Sequence, residues 1–486
     1  MVGIGSGSGD RPLRSDLRKG MEVELGIEKL AFGGAALGRL DGLVVFVDQG
    51  LPGQQARVRI TRRKRQFAEG YVVETIAQSP HYVEPFCSHF GVCGGCRWQH
   101  LRYEEQLRWK QQQVLEALQH LAGVERAELL PVVASPQSIW YRNKMEFTFS
   151  QRCWLVQREP DSEPARYPAT VALGLHTRKS FEAVVNLEEC FLQSPEAVAL
   201  LRATREWCRE SGLPAYNTRT HQGFWRFLVV REGKRTAQRM VHLLTSSQGG
   251  HAAVIERLAS HLQAGFPDLT TFVHSVSDSK AQVASGDVHR CLTGSGFIEE
   301  RLGSLRFKIS PQSFFQTNPF AAEQLYRAIF ELGAFSGSET VWDLYCGTGG
   351  IALFLAQGVR QVVGIEVNEE AVRDARENCA LNGIDNCTFL AGDLKDVVST
   401  ISPSATGQKR PEVIITDPPR AGMHPRVLQA LLAAAPPCIL TVSCNPATLA
   451  RDLMVLLEAY RVDAVQTFDF FPHTPHIECL VKLTRK

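Results

Sequence analysis

The sequence predicts a multidomain α/β protein: an N-terminal OB-like β-barrel, a central α+β domain and a C-terminal doubly wound domain of Rossmann-like type. Three observations carry this. At 486 residues the chain exceeds what one ordinary core supports. Short strand-like runs crowd residues 21–80, and from about residue 301 apolar runs alternate with helical stretches. Buried parallel strands read as continuous apolar runs, because helices cover both faces of their sheet. The expected boundaries are a flexible tail at 1–20, the barrel at 21–80, the central domain at 81–300 and the doubly wound domain at 301–486.

Hydrophobic residues make up 44% and charged residues 21%, a globular composition. No apolar run reaches the roughly 18 to 20 residues that span a bilayer, and the start MVGIGSGSGDRPLRSDLRKG lacks a secretory apolar core. A cytoplasmic protein is expected, with no membrane association and no obligate protein partner evident. Thirteen cysteines in such a chain point to reduced thiols, metal ligands or catalysis, not to a disulfide framework. The net charge of +2 excludes little, since a whole-chain balance hides local fields.

In the barrel region, MEVELGIEKL, GLVVFVDQG, LPGQQARVRITRRK and FAEGYVVETIAQ are strand-like and punctuated by glycine and proline. Five short strands suggest an OB-like barrel, a shape that often binds oligonucleotides. Arg57, Arg59, Arg62, Arg63, Lys64 and Arg65 lie within nine residues that contain no acid. They form either a solvated face or a phosphate-facing one, and alternation puts Arg57 and Arg59 on one strand face.

Cys87, Cys93 and Cys96 follow, with C-x5-C-x2-C spacing in a turn-rich stretch, the pattern of a metal site. A polar helix within 97–122 comes next; despite its early position it can pack on the C-terminal domain. The strand-like WYRNKMEFTF (140–149) carries Arg142 and Lys144, and is either an ordinary solvated strand or a nucleic-acid-facing edge. From residue 301, VWDLY, QVVGIEV, CTFLAGD, PEVIITD and CILTVS read as parallel strands. AVQTFDFF and HIECLVKL read as an antiparallel hairpin at the sheet edge.

The loop Asp343-Leu344-Tyr345-Cys346-Gly347-Thr348-Gly349-Gly350 joins a strand to a helical run, and its glycines let backbone approach a ligand. It lacks GxGxxG spacing, and an acid at Asp343 would repel a pyrophosphate. The same acid suits an ammonium or sulfonium, as in S-adenosylmethionine. Glu366 ends the next strand, where a carboxylate can accept from both ribose hydroxyls, and Asp393 follows the third, where an acid commonly meets the adenine amino group. Asp417-Pro418-Pro419-Arg420 has arginine where an aromatic would favour methylation of an exocyclic base nitrogen.

Ser443-Cys444-Asn445-Pro446 follows the fifth strand. Carbon 5 of uracil attacks a methyl group only after a thiolate has added to carbon 6. Its proton must then be removed for the thiolate to leave, so the site needs a reactive cysteine and a base. Cys444 and Glu478 are the candidates. Alone, Cys444 would read as a small buried hydrophobe and Glu478 as a strand acid; the company of DPPR and the glycine loop favours chemistry.

These motifs resemble the RNA uracil-5-methyltransferases, and more closely the bacterial 23S ribosomal RNA branch with a TRAM domain and an iron–sulfur cluster. The resemblance runs from about residue 21 to the end. It implies a class I methyltransferase domain and assigns the cofactor S-adenosylmethionine to Gln316, Asp343, Tyr345, Gly347, Gly350, Glu366, Asp393 and Asp417. It makes Cys444 the nucleophile and Glu478 the base. At Gly350 some relatives carry asparagine, which removes a side-chain contact here. The resemblance also implies a [4Fe–4S] cluster on Cys87, Cys93, Cys96 and Cys190. Zinc is the chemical alternative. A radical enzyme would use C-x3-C-x2-C with one iron open, and the x5 spacing argues against it. The implied partner is RNA, 23S ribosomal RNA first and transfer RNA second. A ribosome-assembly factor using the fold only for binding is the reading from another class.

Overall fold

The structure, a computed structural model, describes residues 17–154, 168–178, 180–286, 288–397 and 410–486. The tail expected at 1–20 lies outside the described residues as far as residue 16. The chain forms two compact units: among the described residues, one holds 17–86, 96–109 and 473–475, and the other holds 87–95, 110–472 and 476–486.

In the first unit, β1 (Glu22–Leu30), β2 (Ala36–Leu40), β3 (Leu43–Asp48), β4 (Gln55–Arg63) and β5 (Phe67–Ala77) close a barrel in the order β1-β2-β3-β5-β4. Its interior follows the two-residue period of a strand: Val23, Leu25 and Ile27 of β1 point inward with Ala56, Val58 and Ile60 of β4. The outward arginines form an exposed, solvated face with acidic partners. Arg57 meets Glu74 at 2.6 Å and Glu24 at 3.6 Å, Arg59 meets Glu22 at 2.5 Å, and Arg62 meets Glu69 at 3.4 Å. The basic window itself lacks acids, but β1 and β5 supply them across the ladder. Such exposed pairs are worth about 0–1 kcal/mol and orient the arginines more than they hold the barrel.

Helix α1 (Tyr103–Ala122) contributes Trp109 to the barrel core, and Val114 and Leu118 to a core of the second unit. That unit contains β6 (Glu128–Leu129) and a seven-stranded sheet. The sheet strands are β7 (Lys144–Arg152), β8 (Pro168–Thr177), β9 (Ser180–Asn186), β10 (Trp225–Glu232), β11 (Arg239–Thr245), β12 (Leu269–Val276) and β13 (Val288–Thr293). Their order is β13-β12-β11-β10-β7-β8-β9, with α2 (Pro195–Glu210) and α3 (Ala252–Gly265) packed on them. A hairpin of β14 (Ile298–Leu302) and β15 (Leu305–Ile309) leads into a loop ending at α4 (Pro319–Gly333).

The second sheet holds β16 (Thr340–Leu344), β17 (Gln361–Glu366), β18 (Cys387–Ala391), β19 (Val413–Thr416), β20 (Cys438–Ser443), β21 (Tyr460–Phe468) and β22 (Glu478–Arg485). Its order is β18-β17-β16-β19-β20-β22-β21-β6. The five predicted apolar runs are the parallel strands, and β22 lies antiparallel to both β20 and β21. The terminal hairpin does not form the edge, because β6 pairs with β21 and covers it. The helices following these strands are α5 (Gly350–Ala356), α6 (Glu369–Leu381), α7 (Leu394–Val397), α8 (Pro425–Ala434) and α9 (Pro446–Leu456). Strand order reverses at β16, with β17 on one side and β19 on the other. Ligands of open α/β sheets bind outside the carboxyl ends at such a point. No described helix is long and apolar enough to cross a membrane.

Candidate active site

Asp417 follows β19, Cys444 follows β20 and Glu366 ends β17, so three parallel strands deliver these residues to one end of the sheet. Glu478 reaches the same end from the opposite direction. It opens antiparallel β22, and the next residue, Cys479, is registered against Ser443. Gln316 comes from the loop before α4, which both halves of the second unit hold. Asn143 donates from Nδ2 to the Gln316 carbonyl (2.9 Å), buried Arg231 donates to the Ser313 carbonyl (2.6 Å), and Thr348 donates to the Phe314 carbonyl (3.1 Å). Asn318 ends the loop by capping α4. Gln316 Nε2 then donates to Asp417 Oδ2 at 3.1 Å.

These residues line one cavity of about 1080 Å³, with Gln316, Gly347, Glu366, Asp417, Cys444 and Glu478 all on its wall, and Tyr345 beside them. The glycine turn that shapes one side needs left-handed backbone: Gly347 has φ 53° and Gly349 φ 82°, and even Tyr345 sits at φ 65°. Glu366 accepts from the Gly347 and Asn368 amides (3.1 and 3.0 Å), which fixes its carboxylate at the rim. Three expected cofactor residues are not on the wall of this cavity. Asp343 is fully buried beneath the turn, where Oδ2 accepts from the Ala352 amide (3.1 Å) and Oδ1 has no partner. Gly350 lines a small adjoining cavity, and Asp393 lies two residues beyond β18 and lines neither cavity.

Burial governs the electrostatics. It pushes the Asp417 carboxyl up to about 6. Burial, and next the Asp417 charge, hold Glu478 well above the ordinary carboxylate range, while Arg420 opposes them. Burial, then Glu478, push the Cys444 thiol up to about 11, again against Arg420. Arg420 is held in turn by the cysteine's own motif. Asn445 caps α9 through Oδ1 and donates from Nδ2 to the Arg420 carbonyl (3.1 Å), while the guanidinium meets His476 Nδ1 at 2.8 Å. Sequence reasoning gives no role to Asn143 or Asn445. Asn445 is visible in the sequence as a cap before the proline that opens α9; Asn143, 173 residues from its partner, leaves no local signal.

Of the candidate metal ligands, Cys87, Cys93 and Cys190 belong to the second unit and Cys96 to the first. Cys87 feels the charge of Cys190, and Cys93 feels both. Cys87 Sγ, a His89 ring nitrogen and a Glu189 carboxylate oxygen lie within 4.8 Å of one another. Converging soft thiols fit an iron–sulfur cluster, and thiols with an imidazole fit zinc equally well. For S-adenosylmethionine, the Asp417 and Glu366 carboxylates on the cavity wall fit a ligand carrying an ammonium and ribose hydroxyls.

The family profile described as tRNA (Uracil-5-)-methyltransferase matches residues 288–486, and that of the TRAM domain matches residues 16–73. An RNA methyltransferase of Nitratidesulfovibrio vulgaris is 39% identical over 96% of this chain and 97% of its own length. One from Porphyromonas gingivalis is 42% identical over 94% and 99%. Among solved structures, the Pyrococcus abyssi tRNA (uracil-54, C5)-methyltransferase in complex with S-adenosyl-L-homocysteine superposes with a TM-score of 0.73. Its identity is 30%, and the match covers 95% of this chain and 100% of that one.

Proposed function

The chain belongs to the RNA uracil-5-methyltransferase family and is an S-adenosylmethionine-dependent RNA methyltransferase; from this premise we propose that it methylates carbon 5 of a uridine in 23S ribosomal RNA through a covalent adduct on Cys444. The observation that carries the chemistry is the convergence of Gln316, Asp417, Cys444 and Glu478 on one cavity wall. The ribosomal substrate rests on the cysteine set Cys87, Cys93, Cys96 and Cys190, read as [4Fe–4S] ligands. The Pyrococcus abyssi enzyme acts on transfer RNA and keeps that substrate as the second reading.

S-adenosylmethionine supplies an electrophilic methyl group on a sulfonium. Cys444 releases its proton to solvent and bonds through Sγ to carbon 6 of the uracil, which sends electron density to carbon 5. Once carbon 5 has taken the methyl, with the methyl–sulfur bond broken and S-adenosylhomocysteine left, the Glu478 carboxylate takes the carbon 5 proton, the carbon 6–sulfur bond breaks and Cys444 is restored. Both residues must pass through their anions, and Arg420 is the cation that lowers both. Gln316 and Asp417, joined to each other, hold the cofactor's reacting end; Tyr345, Gly347, Gly350, Glu366, Asp343 and Asp393 complete its site. The target uridine is flipped out of its stack to reach Cys444.

The test is tritium release from 23S ribosomal RNA and transfer RNA transcripts labelled at uridine carbon 5. Release from the ribosomal transcript alone, absent with Cys444→Ala, is expected. Release from transfer RNA alone would move the substrate to the second reading. Release by the Cys444→Ala protein would overturn the adduct.

A further inference from the structure

We infer that the Tyr326 hydroxyl is a cofactor-binding group, donating a hydrogen bond to the carboxylate at the amino-acid end of S-adenosylmethionine. The inference rests on the cofactor site proposed above and adds to it a residue that no motif singles out. Tyr326 lies on α4, with its ring buried and packed edge-on against Phe354 of α5 (centroids 5.8 Å apart). Its hydroxyl ends where a side chain at position 350 would begin. A Cβ built on Gly350 would stand 2.6 Å from Tyr326 Oη, so the phenol occupies the room that this glycine leaves.

That position faces a cavity of about 30 Å³, which Tyr326 lines with Gln316, Gly347, Gly350 and Asp417. Phenylalanine would fill the same apolar volume without taking a hydroxyl out of water, so a tyrosine here calls for a polar partner. The groups around it select that partner. Asp417 and Asp343 both raise the Tyr326 pKa, after burial itself, so the phenol stays a protonated donor. Asp417 on this wall suits the ammonium of an α-amino acid, and the carboxylate beside it then needs a donor that an acid cannot provide. Gln316 Nε2 already gives one of its two protons to Asp417, and Thr348 Oγ1 donates to the Phe314 carbonyl. Tyr326 is the donor placed to serve it.

The experiment is calorimetric titration of the full-length protein with S-adenosylhomocysteine, and with 5′-methylthioadenosine, which lacks the amino-acid end. Tyr326→Phe is expected to weaken S-adenosylhomocysteine about tenfold, one charge-assisted hydrogen bond's worth, and to leave 5′-methylthioadenosine unchanged. Gly350→Ala is expected to weaken the same ligand, and to do so less in the Tyr326→Phe background, where the 2.6 Å contact is gone. An unchanged S-adenosylhomocysteine affinity in Tyr326→Phe, or an equal loss for both ligands, would overturn the inference while leaving the cofactor site standing. Failure of the unsubstituted protein to bind S-adenosylhomocysteine would remove the cofactor site and the inference together.

Discussion

Replacing Lys110 with methionine should destabilise the second unit by about 3–5 kcal/mol, the usual cost of leaving one member of a buried ion pair unpartnered. Lys110 and Asp469 are both fully buried, 2.5 Å apart, and Lys110 Nζ also donates to the Phe471 carbonyl at 3.0 Å. Without the ammonium, Asp469 keeps the Phe471 amide on Oδ1 (3.1 Å), and its Oδ2 has no partner even now. Burial outweighs Asp469 in setting the Lys110 pKa, which is lowered. Buried pairs of this kind are often no net source of stability, and breaking one is costly because half of it stays behind. A Lys110→Met/Asp469→Leu protein should accordingly recover most of the loss, a coupling that a double-mutant cycle in urea reads directly. Phe471 lines the large cavity, so the single substitution should also reduce methyl transfer. A loss below about 1 kcal/mol in Lys110→Met would refute the reasoning, because it would mean the carboxylate is hydrated.

Binding of S-adenosylhomocysteine should strengthen as pH rises through about 6, where buried Asp417 loses its proton and can accept the ligand's ammonium; Asp417→Asn should flatten that profile in calorimetry. Cys444 of the ligand-free protein should alkylate slowly with iodoacetamide, its rate rising about tenfold per pH unit from 7 to 9, because a thiol pushed up to about 11 shows no plateau there. Peptide mass spectrometry follows that site, and a plateau near pH 8 would contradict the burial argument. Glu478→Gln should trap a protein–RNA adduct visible on denaturing gels, and rapid turnover would remove it as the base. Anaerobically purified protein should be brown and carry iron and sulfide on Cys87, Cys93, Cys96 and Cys190; a colourless protein with stoichiometric zinc would replace the cluster by a zinc site.

Features dictated by neighbouring residues are legible in the sequence, and features that depend on distant pairing are not. Continuous apolar runs announce β16 to β20, because strands buried on both faces have no polar side to show. The strand-end positions of Glu366, Asp417 and Cys444 follow from those runs. The partners of the β4 arginines are not legible, since the glutamates sit on β1 and β5, outside the basic window. The sheet edge is hidden for a similar reason. A two-residue strand such as β6 has no periodicity to detect, yet it displaces the terminal hairpin from the border. At Asp343 the sequence shows the residue type but not its hydrogen bond, which goes to the Ala352 amide beneath the turn.

The raised pKa values in the cavity bear directly on how the site works. A thiol near 11 and a glutamic acid held protonated are poorly suited to attack and to accept a proton. In the proposed mechanism, the same burial keeps the Cys444 thiol unreactive toward oxidants and stray electrophiles while the site is open to solvent. Reactivity then depends on positive charge near both groups. Arg420 provides one such charge from the protein, tied by its carbonyl to Asn445 of the cysteine's own loop. The sulfonium supplies the other. Each charge favours the thiolate and the carboxylate over their neutral forms, so cofactor binding and activation of the nucleophile are linked electrostatically. In the proposed mechanism Arg420 acts on chemistry more than on RNA affinity. Its replacement by alanine should lower kcat well beyond any rise in KM for RNA, whereas replacement by lysine, which keeps the charge but loses the guanidinium's fixed fork, should restore part of the rate.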